Sequence, residues 1–243
     1  MSKVVIVTGG SRGIGAATSR LLGAKGYAVC VNYLVNSERA SGVVDAIVSE
    51  GGRAFACQAD VSSEADVVRL FDTVEKRFGQ VTHLVNNAGI LFTQSTLVDI
   101  DLERFNQVLN SNVISCFLCS REAVRRFQSG GAIVNVSSLA SKTGSPFEYV
   151  DYAASKGAMD SLTKGLSLEV AAVGIRVNAV RPGFIYTDMH ADGGEPGRVD
   201  RLAPQIPMQR GGTAEEVANT IAWLLSDEAS YVTGTFIDVA GGR

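Results

Sequence analysis

Short apolar runs alternate with amphipathic stretches along the whole chain, and this alternation constrains the fold more than any other feature. Residues 4–7, 28–33, 53–59, 82–86, 132–137, 176–180 and 235–239 read as strands, rich in β-branched residues and bounded by turn residues. Between them, 14–25, 37–50, 64–78, 102–127, 152–173 and 214–225 carry apolar residues at helical spacing. Strands that alternate with helices are joined by right-handed crossovers, which give a parallel sheet covered on both faces. The predicted fold class is therefore α/β: a doubly wound, seven-stranded parallel sheet with helices on both faces. It is expected to form one domain over residues 1–243, since a 46% apolar composition supplies one sizeable core. One long stretch, 187–212, lacks a period and holds Gly193, Gly194, Pro196, Gly197, Pro204 and Pro207. Such a segment inside a compact domain is expected to be a lid.

Composition excludes several classes of function. The net charge is −3, and no Lys/Arg cluster exceeds short pairs such as Arg125–Arg126, read as a solvated helix end; nucleic acid is not an expected partner. No apolar run is long enough to cross a bilayer, and the first ten residues read as a strand and turn, not a signal peptide. Cys116 and Cys119 form a C-x-x-C in an apolar helical stretch, with no second Cys/His cluster to complete a metal site. They read as buried helix-face residues, and Cys30 and Cys57 complete no disulfide framework. A cytosolic, metal-free protein is expected.

Thr8-Gly9-Gly10-Ser11-Arg12-Gly13-Ile14-Gly15 follows the first predicted strand and opens the first helix. Glycines there let the backbone approach a pyrophosphate, and the helix start offers unpaired N–H groups and a positive dipole end. The spacing is G-x-x-x-G-x-G. NAD sites place an acid near the end of the second strand. Here that region is Asn32-Tyr33-Leu34, and the first acid beyond it is Glu38. Arg12 offers a guanidinium fork suited to a 2′-phosphate, with a solvated loop position as its alternative. The loop, with Asn32 and Tyr33, predicts NADP(H) in preference to NAD(H).

Tyr152 and Lys156 stand four apart at the start of a predicted helix, which puts them on one face. A free tyrosine titrates near pH ~10, too high for a base at neutral pH. An ammonium at ~4 Å and an effective dielectric of ~20 attracts a phenolate by about 4 kcal/mol, roughly three pKa units before desolvation is subtracted. The pair can then move a proton to or from an alcohol oxygen. Alone, such a pair is also a common exposed helix motif. Its company raises its meaning. Ser137 and Ser138 follow a strand, where a hydroxyl can hold a substrate oxygen or merely cap a helix. Asn112 interrupts an apolar helical stretch and needs a partner. Asn86-Asn87-Ala88-Gly89 and Arg181-Pro182-Gly183 end two strands. Tyr149 is followed four residues later by Ala153, so it lacks the lysine. His83 reads as structural, and His190 as a lid residue either near substrate or solvated. Two histidines and no G-x-S-x-G leave a hydrolase triad without support.

Taken together, in this order and over nearly the whole chain, these motifs resemble the short-chain dehydrogenase/reductase superfamily. The likeness is greatest to its 3-oxoacyl-acyl-carrier-protein reductase and sugar dehydrogenase members. The resemblance implies a Rossmann fold and an oxidoreductase acting on a small ketone or secondary alcohol. It also implies roles. Tyr152 is the acid/base, and Lys156 binds the nicotinamide ribose and lowers the tyrosine pKa. Ser138 holds the carbonyl or hydroxyl, and Asn112 supports a proton relay to Lys156. Gly9, Ser11, Arg12, Gly13, Ile14 and Gly15 take the pyrophosphate side, Asp60 and Val61 the adenine. Asn87, Ala88 and Gly89 line the cleft, followed by Pro182, Gly183, Ile185 and Thr187 near the carboxamide. Two further readings stay open: a 3-oxoacyl-acyl-carrier-protein reductase, and a non-enzymatic NADP sensor. At the positions where carrier-protein reductases place basic docking residues, this chain has Ser129 and Val173, with Arg125, Arg126 and Arg176 nearby. A homotetramer is implied by the resemblance alone.

Overall fold

A computed structural model describes residues 3–128 and 130–243; Ser129 lies outside the described residues. Seven parallel strands form one sheet in the order β3-β2-β1-β4-β5-β6-β7. They are β1 (Val4–Val7), β2 (Ala28–Tyr33), β3 (Arg53–Gln58), β4 (His83–Asn86), β5 (Gly131–Val136), β6 (Ile175–Pro182) and β7 (Phe236–Val239). The helices between them are α1 (Gly13–Ala24), α2 (Ser37–Ser49), α3 (Glu64–Phe78), α4 (Leu102–Leu109), α5 (Ser115–Arg126), α6 (Ala140–Thr143), α7 (Val150–Val170), α8 (Met189–Asp192), α9 (Arg198–Leu202) and α10 (Ala214–Leu225).

Strand alternation divides the core in two. In β1, Val5 and Val7 face a layer built by Leu22 of α1, Ile47 of α2 and Ile221 of α10. Val4 and Ile6 face the other layer, built by Leu70 and Phe71 of α3, Cys119 of α5 and Val170 of α7. A strand covered on both faces reads as a continuous apolar run, which is why VVIV carries no polar residue. Local signals fix the helix starts. Ser63 and Asp101 accept the Asp66 and Arg104 backbone N–H groups at the starts of α3 and α4, and Thr213 with Glu216 forms a capping box on α10.

Three expectations change. The single helix foreseen over 102–127 is α4 and α5 joined by a π-helical turn, Asn110–Ile114. The wider turn admits the Asn112 side chain to the interior, where it is fully buried. Arg126 is not a solvated helix end either. Its guanidinium is held by Asp72, Glu75 and Glu122 at 2.7–2.8 Å, clamping α3 to α5. The stretch 187–212 contains α8 and α9 where no period was visible, because helices this short show less than two turns.

Candidate active site

The sheet order reverses between β1 and β4, each continuing outward on its own side, and a crevice opens at the carboxyl ends of the strands there. The loop after β1 is fastened across this reversal. Thr8 Oγ1 accepts the backbone N–H groups of Asn87 and Ala88 at 2.9 and 3.0 Å. The Asn87 amide donates to the carbonyl oxygens of Thr8 and Gly9, both at 3.0 Å. Glycine is required where the chain is tightest. A Cβ at Gly15 would lie 2.3 Å from the Gly9 oxygen, and Gly9 and Gly13 hold φ of 59° and 51°. This cradle at the start of α1, closed to side chains but open to backbone contact, fits the pyrophosphate of a dinucleotide.

Two cavities meet at this point, sharing Ile14, Asn87, Gly89, Thr187 and Met189. The first, about 590 Å³, runs along the glycine loop past Ser11, Arg12, Tyr33, Asp60, Val61 and Ala88. The second, about 460 Å³, contains Ser138, Tyr152, Lys156, Pro182, Gly183 and Ile185. The residues singled out in the sequence therefore border one continuous cleft, with three qualifications. Gly15 is buried behind the loop. Asn32 lines the first cavity but is fully occupied: its oxygen accepts the Gly9 N–H at 3.2 Å and its amide donates to the Cys57 and Ala59 carbonyls. Its part is to tie the glycine loop to β3. Asn112 stands behind the cleft wall.

Asn112 Oδ1 accepts the Ile90 N–H at 2.8 Å, and Nδ2 donates to the Ile90 carbonyl and Ser155 Oγ, both at 3.0 Å. Ser155 in turn donates to the Tyr152 carbonyl at 2.7 Å. The π-helical turn, the segment after Gly89 and the start of α7 are thereby locked together. Lys156 is buried and donates to the Val136 carbonyl at 2.8 Å, with Nζ 5.4 Å from the centre of the Tyr152 ring. Burial lowers the Lys156 pKa to about 8. Burial also pushes Tyr152 up to about 12, against a hydrogen bond with Ser138 that lowers it. Burial of the phenol therefore sets the direction of the tyrosine shift. At neutral pH the tyrosine carries its proton.

Several residues at the cleft gave no sign in the sequence. Arg39 borders the first cavity beside Arg12. Both pair with aspartates of the 187–212 stretch, Arg12 with Asp192 at 2.6 Å and Arg39 with Asp188 at 2.7 Å. Arg104 of α4 meets Asp151, which is 1% exposed, at 2.7 Å. Asp151 also accepts the Tyr152 backbone N–H at 2.9 Å. No motif announces such pairs, because their members lie 47 to 180 residues apart. His190 lines the second cavity, with Nε2 3.0 Å from the Ile185 oxygen and its pKa lowered by burial. His83 is buried, bonded to Thr82 Oγ1 at 2.7 Å and lowered by burial to about 4, as a structural histidine would be. Among the described residues no cluster of side chains is arranged to hold a metal, and no helix is long and apolar enough to cross a membrane.

Comparison with known proteins agrees with this geometry. A family model described as enoyl-(acyl carrier protein) reductase matches residues 9–243. The chain is 63% identical to an Escherichia coli (strain K12) protein named uncharacterized oxidoreductase YgfF, over 99% of each. It is 39% identical to the 3-oxoacyl-[acyl-carrier-protein] reductase FabG of Staphylococcus aureus, over 100% of this chain and 98% of that one. It is 36% identical to an oxidoreductase of Methylorubrum extorquens over 99% of this chain. With a dinucleotide cradle and a Tyr152–Lys156 pair in one cleft, this chain belongs to the short-chain dehydrogenase/reductase family and is an NAD(P)-dependent oxidoreductase.

Proposed function

We propose that the protein is an NADP(H)-dependent reductase of small ketones, working in reverse on secondary alcohols, with Tyr152 as the proton donor. The observation that carries this reading is the placement of Ser138, Tyr152 and Lys156 in a cavity that opens directly onto the glycine cradle. The nicotinamide, when bound, supplies a hydride to the carbonyl carbon or accepts one from the alcohol. Tyr152 gives its phenol proton to the carbonyl oxygen as negative charge develops there, so the neutral phenol of the resting site is the form that reduction needs. The Ser138 hydroxyl holds the same oxygen. Lys156, charged below about pH 8, stabilises the phenolate left behind. Asn112 and Ser155 fix the backbone of the tyrosine, so its hydroxyl does not drift from the reacting oxygen. The stretch 187–212 serves as a lid over one domain that spans the chain.

The phosphate of NADP(H) is favoured by Arg12 and Arg39 on the adenosine side and by the absence of an acid in Asn32-Tyr33-Leu34. The pairs with Asp188 and Asp192 are half exposed and worth about 0–1 kcal/mol, so a phosphate can displace those carboxylates. Titration of protein fluorescence with NADPH and NADH tests the choice; equal or tighter NADH binding refutes it. Turnover of NADPH with a panel of ketones, lost by at least ~100-fold in Tyr152→Phe with NADPH binding intact, tests the acid/base. The name of the Staphylococcus aureus relative supports a second reading, reduction of a carrier-bound 3-oxoacyl thioester. Saturable turnover of a carrier-bound 3-oxoacyl thioester, far above that of simple ketones, would favour it.

A further inference from the structure

We propose that the substrate carries an anionic group, a carboxylate in the first instance, which Arg243 binds at the rim of the cavity that holds Tyr152. The proposal rests on the reductase reading above and names the class of substrate.

The charged groups bordering the second cavity are Glu148, Lys156, Arg198, Arg201 and Arg243, with His190. Most are already committed. Both oxygens of Glu148 accept from Arg198, which is 5% exposed. Arg201 is held by Glu195 at 2.8 Å, and Arg198 approaches the same carboxylate at 3.6 Å. Lys156 faces the Val136 carbonyl. Burial keeps His190 below its ordinary pKa, so it adds no charge at neutral pH. Among the described residues Arg243 has no carboxylate partner. Its guanidinium instead lies 4.8 Å from the centre of the Phe184 ring. This cation–π contact holds the guanidinium at the ring and uses none of its N–H groups in a hydrogen bond.

The backbone delivers Arg243 to this position by construction. Gly241 and Gly242 both have positive φ, 65° and 91°. A Cβ at Gly241 would fall 2.8 Å from Ile206 and one at Gly242 3.1 Å from Pro207. The Gly241 carbonyl accepts the Met208 N–H at 3.1 Å. The two glycines thus form a tight turn pressed against the 187–212 stretch, and the arginine that follows points back to the cavity. Arg243 does not border the cavity along the glycine loop, so its fork is not placed for the cofactor's phosphates. A guanidinium without a carboxylate partner, in the same cavity as the proton donor, matches a carboxylate on the ketone substrate, bound through two parallel hydrogen bonds.

The test uses oxo acids whose ketone stands one, two or three methylenes from the carboxylate: acetoacetate, 4-oxopentanoate and 5-oxohexanoate, each against its methyl ester, with NADPH. A charge-assisted pair predicts a kcat/KM for the best acid about 10- to 100-fold above its ester. Arg243→Gln should bring that ratio close to one by lowering the acid alone, and Arg243→Lys should keep part of it, since the charge remains without the fork. Esters turned over as well as acids, or Arg243→Gln lowering both equally, would overturn the anion site and leave the reductase reading standing. NADPH consumption with none of the six compounds would overturn both.

Discussion

Arg104 and Asp151 offer a measurable test of how the tyrosine is held. Asp151 is 1% exposed, lies in the first turn of α7 one residue before Tyr152, and meets Arg104 at 2.7 Å. Arg104 also donates to the Thr93 carbonyl at 2.8 Å and lies over the Phe92 ring, so one side chain joins α4, the segment after β4 and the start of α7. Arg104→Met removes the cation and leaves the carboxylate buried. Breaking a buried pair this way costs about 3–5 kcal/mol. The Tyr152 N–H and the start of the helix still stabilise Asp151, which places the loss near the lower end, about 3 kcal/mol. For a chain of this size that lowers Tm by roughly 6–12 °C. Adding Asp151→Asn removes the orphaned charge while retaining an oxygen for the Tyr152 N–H, and should recover at least half of the loss. The assay is urea unfolding at pH 7 and fixed protein concentration, followed by circular dichroism and by the single tryptophan, Trp223. A loss below about 1 kcal/mol for Arg104→Met, or no recovery on adding Asp151→Asn, would refute the account.

Other expectations follow from the site. Lys156 titrates near 8 in the fold and near ~10.4 in an unfolded chain, so between those values the unfolded state binds the extra proton and stability rises with pH. The gain is on the order of 3 kcal/mol from pH 8 to 10.5 and is absent in Lys156→Met; denaturation across that range, wild type against variant, measures it. His83, lowered to about 4, works in the same sense on the acid side: stability falls as pH drops from ~6.5 toward 4, and less so in His83→Gln, read by thermal melts at each pH. Gly15→Ala puts a methyl 2.3 Å from the Gly9 oxygen and 2.5 Å from the Asn87 amide, both fixed parts of the clamp. It should weaken NADPH binding at least about tenfold in a fluorescence titration, and unchanged affinity would show that the loop tolerates displacement.

Much of this was legible because its signals are local. A run such as VVIV reports burial on both faces, and T-G-G-S-R-G-I-G reports a turn that only glycine can make. Tyr152 and Lys156 lie within one helical turn, so their spacing announces their meeting. What the sequence hid depends on distance or on surroundings. The Tyr152 pKa is raised by desolvation, which no spacing reveals. Asn32 stands in the cofactor region at the end of the second strand, but the polar backbone groups around it claim its amide. The break at Asn110–Ile114 leaves no mark in composition, since a π-helical turn uses the same residues as the α-helix it interrupts.

The clamp between the first loop and the fourth strand also has a consequence for how the chain acquires activity. Thr8 and Asn87 stand 79 residues apart, and Asn112 waits for Ser155, a further 43 along. During synthesis the loop emerges early, yet its fastening arrives only with β4, and the tyrosine is anchored only once α7 is made. Partial chains therefore hold neither a firm nucleotide cradle nor an aligned proton donor. Contacts this remote in sequence slow the search for the native pairing of strands. Function should switch on late and together, with cofactor binding and turnover returning in the same phase when denatured protein is refolded.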